Sequence, residues 1–315
     1  RSKVFSCEVS VVKLIFAGTP EAAVPTLEAL ISSDFEVVAV LTRPDAPQGR
    51  KRILTPSPVA QVAIAQGIPV IYANRIDDAV QKAIDESAAD LGVVVAYGAL
   101  LPQHTLDSVK HGWINLHFSS LPQWRGAAPV QWNVISGATQ AGSSVFQLVQ
   151  KLDAGDVYDS REWPILPDET AGELLRRLSV LGAQQVLDVV TSLDSGTANS
   201  IPQQEESTYA RKLSLEDGHL NLSLDSEAVY NQFRGVTPEP GAFVSLGDER
   251  LKIIEARSGA DEEVVPSAIT SVSKKLYLGC APGSIELLSV QPAGKQAMSA
   301  MDWFRGLRQE VVHVS

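Results

Sequence analysis

Apolar runs in the N-terminal half of the chain alternate with segments of helical periodicity. From about residue 11 to residue 165, β-branched runs such as VVKLIFAG and FEVVAVL are followed by segments such as EAAVPTLEALIS. This alternation is typical of β-α-β units around a parallel sheet. The run GVVVAY is apolar on both faces, as expected of a strand with helices covering both sides of its sheet. The pattern predicts an α/β fold, with a doubly wound, mostly parallel, Rossmann-like sheet closed by a long amphipathic helix.

The pattern changes after residue 193. Residues 196–219 are polar, rich in Ser and Gln, and lack sustained periodicity, which is typical of an interdomain linker. One short helical pattern then precedes short strands separated by Gly-containing turns, which predicts a small β-barrel or sandwich. We therefore predict an α/β domain over residues 11–195, a linker over 196–219 and a β domain over 220–315. Residues 1–10 form an N-terminal extension that is assigned to neither domain.

Composition excludes several classes of protein. Of 315 residues, 44% are hydrophobic and 20% are charged, which excludes a disordered or low-complexity chain. The longest nearly apolar run, residues 91–102, is far shorter than the roughly 20 residues that cross a bilayer. The two cysteines, Cys7 and Cys280, build neither a disulfide framework nor a zinc site, and the five histidines form no HxxxH pair. We expect a cytoplasmic protein without a metal.

The net charge is unevenly distributed. The chain carries 26 basic and 37 acidic residues, a net charge of −11, which by itself argues against a polyanionic partner. Residues 1–249 hold 18 basic and 30 acidic residues, whereas residues 250–315 hold eight and seven. The acidic excess therefore lies entirely before residue 250, and binding to a polyanion would require a local basic patch.

One such patch follows the second predicted strand, in LTRPDAPQGRKRILTPSPVAQVA. Four basic residues and one acidic residue within residues 43–52 give a local charge of +3: Arg43, Arg50, Lys51 and Arg52 with Asp45. Four prolines limit the conformations of this segment, which lowers the entropy lost on docking. Its length exceeds that of a routine connection and favours a functional loop. An ordinary solvated surface loop is the other interpretation.

Polar residues that suit catalysis lie in and after the strand INLHF. Residues two apart on a strand share a face, so Asn115 and His117 point together, away from Ile114. Ligands bind at the carboxyl ends of strands in open α/β sheets, and an Asn with a His suits an oxyanion donor with a general acid or base. Downstream, Asp153 precedes an Ala-Gly turn, where a carboxylate could orient the imidazole and favour its protonated form. The alternative is that Asp153 and Asp156 only shape a turn.

The first strand-to-helix turn, FAGTPEAAV, bears on whether the fold binds a dinucleotide. It lacks the GxGxxG spacing of dinucleotide-binding turns, while Thr19, Pro20 and Glu21 suit a well-capped first helix. A nicotinamide or flavin enzyme is therefore disfavoured.

Taken together, FAGTPEAAVPTLEAL, VVAYGALLP, INLHFSSLPQWRGAAPVQ and KLDAGDVY resemble the 10-formyltetrahydrofolate-dependent formyltransferases. The resemblance extends from about residue 11 to the C-terminal end. The long basic loop is similar to that of the members acting on methionyl-tRNA, in which Arg50 matches a critical arginine. The resemblance implies an OB-like β-barrel in the C-terminal domain that contacts tRNA.

The resemblance also implies roles for individual residues. The catalytic set is Asn115, His117 and Asp153. The folate contacts are Ser119, Ser120, Leu121, Pro122, Leu101 and Pro102. The tRNA contacts are Arg43, Arg50, Lys51 and Arg52. Ser120 departs from the family pattern, because this chain has SerSerLeuPro where family members usually have SerLeuLeuPro.

The resemblance implies 10-formyltetrahydrofolate as formyl donor and initiator methionyl-tRNA as acceptor. We expect no metal, no membrane association and no obligate protein partner. Two alternatives stay open. One is a formyltransferase acting on a small-molecule amine such as a sugar nucleotide, and the other is a non-catalytic RNA-binding protein of the same fold.

Overall fold

The structure, a computed structural model, describes residues 12–49, 51–204, 206–259 and 264–315. The predicted N-terminal extension, residues 1–10, lies outside them. The described residues form two compact units, each assembled from segments that are not adjacent in the chain. The first unit lies within Arg1–Arg125, Gly142–Arg161 and Arg176–Ser207, and the second within Gly126–Ala141, Glu162–Leu175 and Thr208–Ser315. The predicted domain and linker boundaries stay predictions.

Strands and helices alternate through the N-terminal half. The strands are β1 Lys13–Gly18, β2 Glu36–Thr42, β3 Ala46–Gln48, β4 Ile53–Thr55, β5 Val70–Tyr72, β6 Leu91–Val95, β7 Trp113–His117, β8 Arg125–Gly126, β9 Gln140–Gln147 and β10 Val157–Pro164. The helices are α1 Val24–Ile31, α2 Pro58–Ala65, α3 Asp78–Glu86, α4 Gln103–Leu106, α5 Pro129–Ile135 and α6 Ala171–Asp194, with a 3-10 turn at Glu21–Ala23. None of the helices in the described ranges is long and apolar enough to cross a membrane.

Seven of these strands form one sheet in the order β10-β9-β7-β6-β1-β2-β5. Strands β1, β2, β5, β6 and β7 are parallel, and β9 is antiparallel to β7. The chain runs outward from β1 to β2 and β5, then returns to the other side of β1 with β6. Ligands of doubly wound sheets bind where the strand order reverses in this way. The carboxyl ends of β1 and β6 therefore border the expected crevice.

The second half contains mostly antiparallel strands. They are β11 Tyr209–Ala210, β12 Phe243–Leu246, β13 Glu249–Ser258, β14 Ala268–Val272, β15 Lys275–Gly279, β16 Ser284–Gln291, β17 Met298–Ser299 and β18 Val311–His313. The helices are α7 Ser226–Gly235 and α8 Ala300–Leu307, with a 3-10 turn at Leu215–Gly218. One sheet has the order β12-β13-β16-β15-β14-β18, with β17 on β16, and forms an open half-barrel. The predicted fold class, a doubly wound sheet followed by a smaller OB-like β domain, is confirmed.

Candidate functional site

Strand β7 carries two polar side chains among apolar ones. Asn115 lies opposite Val94 of β6, and His117 lies opposite Ser144 of β9. Within the described part of the chain, the buried Oδ1 atom of Asn115 has no hydrogen-bond partner. Buried polar atoms are nearly always paired, and an unpaired one in a strand suits an atom that binds substrate.

His117 faces hydrogen-bond acceptors at both ring nitrogens. Its Nε2 lies 2.9 Å from the carbonyl oxygen of Trp124 and carries a proton, because a carbonyl can only accept. Its Nδ1 lies 4.0 Å from Oδ2 of Asp153, and both side chains are at least nine-tenths buried. A proton on Nδ1 would point at the carboxylate. Both ring nitrogens therefore face oxygen atoms that can accept hydrogen bonds.

Three residues near the site have left-handed backbone conformations that residues with a Cβ seldom adopt. They are Ala96, Trp124 and Asp153, with φ of 48°, 57° and 45°. They lie in the segments that follow β6, β7 and β9. Such conformations persist where surrounding contacts hold them, and they cluster at functional sites.

The segment after His117, SerSerLeuPro, is fixed to β9. The Ser144 hydroxyl accepts a hydrogen bond from the Leu121 N–H at 3.0 Å and donates one to the Ser119 carbonyl at 2.8 Å. Ser120 Oγ lies against Gly142, where an added Cβ would come within 1.9 Å of it. The Leu121–Pro122 peptide bond is cis. Ser144 is a residue that the sequence did not single out, because a serine in an apolar strand gives no signal of its distant partners.

Replacing Ser144 with alanine is expected to lower the free energy of unfolding by about 1–3 kcal/mol, since it leaves the Leu121 N–H without its partner. Urea denaturation measures this change. Ser108→Ala, which removes a hydrogen bond from an exposed hydroxyl to the Thr105 carbonyl, is the matched control and should change stability by less than about 0.5 kcal/mol. A Ser144→Ala protein as stable as the parent would show that these bonds do not hold the loop.

The segments that follow β1 and β6 are joined by hydrogen bonds. Thr19 donates a hydrogen bond to the Tyr97 carbonyl at 3.0 Å, and the Tyr97 hydroxyl donates one to Ala73 at 2.8 Å. Burial raises the pKa of Tyr97, which keeps this hydroxyl protonated as a donor. Leu101 is buried and Pro102 is half-buried at the start of α4, where they end the segment that follows β6.

The basic segment is a β-hairpin and not the open loop that the sequence predicted. Strands β3 and β4 pair antiparallel, with Pro47 opposite Leu54. Proline is tolerated because each strand of an isolated pair has an edge that needs no N–H donor. Lys51 and Arg52 are exposed at the tip. The adjoining apolar side chains Ile53 and Leu54 are 62% and 65% exposed, which is unusual for such residues.

The other two basic residues of this segment differ from the pair at the tip. Arg50 lies outside the described residues. Arg43 directly follows β2, where its Nη1 donates to Asn74 at 3.0 Å and its Nη2 donates to the Gly98 carbonyl. The guanidinium of Arg43 is thus hydrogen-bonded to the segments that follow β5 and β6. Its predicted tRNA contact stays a prediction.

No group of three or more His, Cys, Asp or Glu side chains that could hold a metal ion occurs within the described ranges. Two clefts lie elsewhere than around His117. One, of about 440 Å³, is lined by residues at the amino-terminal end of β7, including His111 and Gln147. The other, of about 410 Å³, is in the second unit and includes His219 and Asn221.

Comparison with known proteins defines the class of this fold and site. Residues 11–190 match the family model of formyl transferase, and residues 212–308 match that of the formyl transferase C-terminal domain. Together these matches cover most of the chain, and the protein is a formyl transferase by class.

Individual relatives narrow the class. Over 300 residues the chain is 50% identical to a methionyl-tRNA formyltransferase of Leifsonia xyli subsp. xyli, which covers 95% of this chain and 99% of the relative. The chain therefore belongs to the methionyl-tRNA formyltransferase family. The resemblance noted from the sequence motifs is confirmed.

Solved structures share the fold at lower identity. An N-formyltransferase from Helicobacter canadensis, in complex with folinic acid and dTDP-3-aminofucose, has a TM-score of 0.69 at 19% identity, covering 90% of this chain and 100% of that one. A methionyl-tRNA formyltransferase from Clostridium thermocellum has a TM-score of 0.59 at 16% identity, covering 81% and 97%.

Proposed function

We propose that the protein transfers the formyl group of 10-formyltetrahydrofolate to the α-amine of methionine on initiator methionyl-tRNA. The observation that carries the chemistry is the buried pair of His117 and Asp153, together with the unbonded Oδ1 of Asn115, which lies on the same strand as His117. The choice of acceptor rests on the relative from Leifsonia xyli, which is named for this acceptor and matches nearly the whole chain. A folate-type donor is supported by the structurally similar protein that binds folinic acid.

Asn115 is the residue that meets the reacting carbonyl. When the amine forms its bond to the formyl carbon, the carbonyl π electrons move to oxygen and an oxyanion develops. The Asn115 side chain donates a hydrogen bond from Nδ2 to that oxygen. Its unbonded Oδ1 accepts a hydrogen bond from an N–H of the incoming amine. One donor of this kind typically contributes about 10²–10³ in rate.

His117 supplies positive charge beside the same oxygen. With protons on both nitrogens, the ring donates to the Trp124 carbonyl and faces the Asp153 carboxylate. The charge stabilises the oxyanion, and its burial strengthens the effect because water is excluded. As the C–N bond of the donor breaks, the leaving nitrogen takes a proton and the attacking amine loses one. His117 donates the proton to the leaving nitrogen, and Asp153 accepts the amine proton through a water. Return of that proton from Asp153 to His117 restores both groups.

The donor occupies the crevice at the ends of β1, β6 and β7. There the Ser144 hydroxyl holds the backbone of SerSerLeuPro, and Ser120 contributes through its main chain because its hydroxyl lies against Gly142. Leu101 and Pro102 supply an apolar edge for the flat ring of the folate. The departure from the family's usual leucine at Ser120 is thereby accommodated without loss of the main-chain contacts.

The acceptor binds through the basic hairpin. Lys51 and Arg52 present cations for phosphate groups, and the exposed Ile53 and Leu54 next to them suit contact with unstacked bases. The second unit contributes a further surface. Residues 250–315 are close to neutral in net charge, so they repel a polyanion far less than the acidic remainder of the chain does.

Formyl transfer to charged initiator tRNA, compared with transfer to a sugar-nucleotide amine, tests this proposal. With 10-formyltetrahydrofolate as donor, we expect product only with the charged tRNA. Uncharged tRNA is the control, since it binds the same surface but lacks the amine. Transfer to the sugar-nucleotide amine alone would overturn the choice of acceptor, and transfer to neither would overturn the proposed chemistry.

A further inference from the structure

Gln203 lies far from Asp153 in the chain but next to it in space. The segment that carries it is paired with the start of β10, where Val157 and Ile201 exchange two backbone hydrogen bonds of 2.9 Å. This pairing places Gln203 beside the turn that contains Asp153 and Gly155. Both residues belong to the first unit.

The Gln203 amide joins that turn to a buried cation. Its Nε2 donates to the carbonyls of Asp153, at 3.0 Å, and Gly155, at 2.8 Å. Its Oε1 accepts from Nε and Nη2 of Arg125, at 3.1 and 2.5 Å. A guanidinium can only donate and a carbonyl can only accept, so the amide fits in one orientation alone. Arg125, which is 6% exposed, thereby fixes the direction of the Gln203 donors.

The turn requires such a constraint. Asp153 has a φ of 45°, a conformation that is held only where neighbouring contacts maintain it. Gly155 approaches β9 so closely that an added Cβ would lie 1.7 Å from the Gln147 carbonyl oxygen. The turn is therefore packed on one side by β9 and held on the other by Gln203. The position of the Asp153 carboxylate relative to His117 depends on both.

We propose that Gln203 is a positioning residue for formyl transfer, which holds the Asp153 turn in register with His117 and is itself oriented by Arg125. This inference rests on the proposed function, because it assigns Gln203 to the same catalytic site. Gln203 touches neither substrate and acts through Asp153.

Gln203→Leu removes the hydrogen bonds at similar size and tests the proposal. We expect kcat to fall about 10- to 100-fold, because small displacements of a catalytic group have effects of this order. KM for the folate and for the tRNA should stay within about twofold. Gln204→Leu is the matched control, since Gln204 is the neighbouring glutamine and is exposed. It should keep the parental kcat.

Two further variants separate positioning from general structural damage. Gln203→Glu keeps an acceptor for Arg125 but sets a carboxylate oxygen against two carbonyls, so it should lose kcat as Gln203→Leu does. In an Asp153→Asn background, Gln203→Leu should have almost no further effect, because residues that act through one another are not additive.

Each failure has a distinct meaning. If Asp153→Asn lowers transfer but Gln203→Leu keeps the parental kcat, or the two losses multiply in full, the positioning role is wrong and the proposed function stands. If Asp153→Asn itself retains the parental rate, the proposed catalytic role of that carboxylate is wrong.

Discussion

Replacing His117 with asparagine is expected to lower the rate constant for formyl transfer by about 10³-fold. Asparagine can still donate a hydrogen bond to the Trp124 carbonyl, but it cannot carry the positive charge that we propose for His117 beside Asp153. Because the change affects the transition state more than the bound substrates, KM should change little. Single-turnover transfer with saturating folate and tRNA measures the effect directly.

The control for this variant is His111→Asn, which makes the same chemical change at the amino-terminal end of β7, away from the site. It should keep the parental rate constant. If His117→Asn also keeps it, the protein does not use this histidine for catalysis, and the alternative of a non-catalytic RNA-binding protein gains support. Binding of initiator tRNA by both variants shows that the loss is chemical and not a failure to fold.

Neutralising the basic segment by Arg50→Gln, Lys51→Gln and Arg52→Gln together is expected to raise KM for tRNA about 10²-fold near 0.15 M salt. The loss of three phosphate contacts has this effect because each contact releases condensed counterions from the nucleic acid. KM for the folate should not change. The dependence of the logarithm of tRNA affinity on the logarithm of salt concentration should also become shallower by about two to three.

A control triple variant, Lys13→Gln with Lys82→Gln and Lys110→Gln, changes the net charge by the same amount at exposed positions of the first unit. It should leave KM for tRNA within about threefold of the parent. If both triple variants lose tRNA use equally, overall charge and not the hairpin governs binding. An unchanged KM in the hairpin variant would contradict the proposed contact.

The architecture was predictable from local patterns. Runs that are apolar on both faces define strands such as β6, and the alternation in INLHF places Asn115 and His117 on one face of β7. These features follow from the two-residue period of a strand, which is visible in the sequence. Motif resemblance then supplied the reaction and the substrates, which periodicity cannot give.

Contacts between distant segments were not predictable. The bonds from Ser144 to the loop after His117 and from Gln203 to Asp153 join residues that lie 23 to 50 positions apart. No periodic pattern encodes such pairings. The hairpin was not predicted because its strands are three residues long and one of them contains a proline. Arg43 was grouped with Lys51 and Arg52 on charge alone. The two units join non-adjacent segments, which a search for local composition changes cannot detect.

The unbonded Oδ1 of Asn115 sets a conflict between turnover and folding. A buried acceptor that receives no hydrogen bond from the described residues lowers the stability of the substrate-free protein, by about 1–3 kcal/mol for a typical group. A leucine at this position would remove the unpaired acceptor and, with it, the oxyanion donor that we propose. Selection for heat resistance alone is therefore expected to favour an apolar residue here, at the expense of the proposed activity.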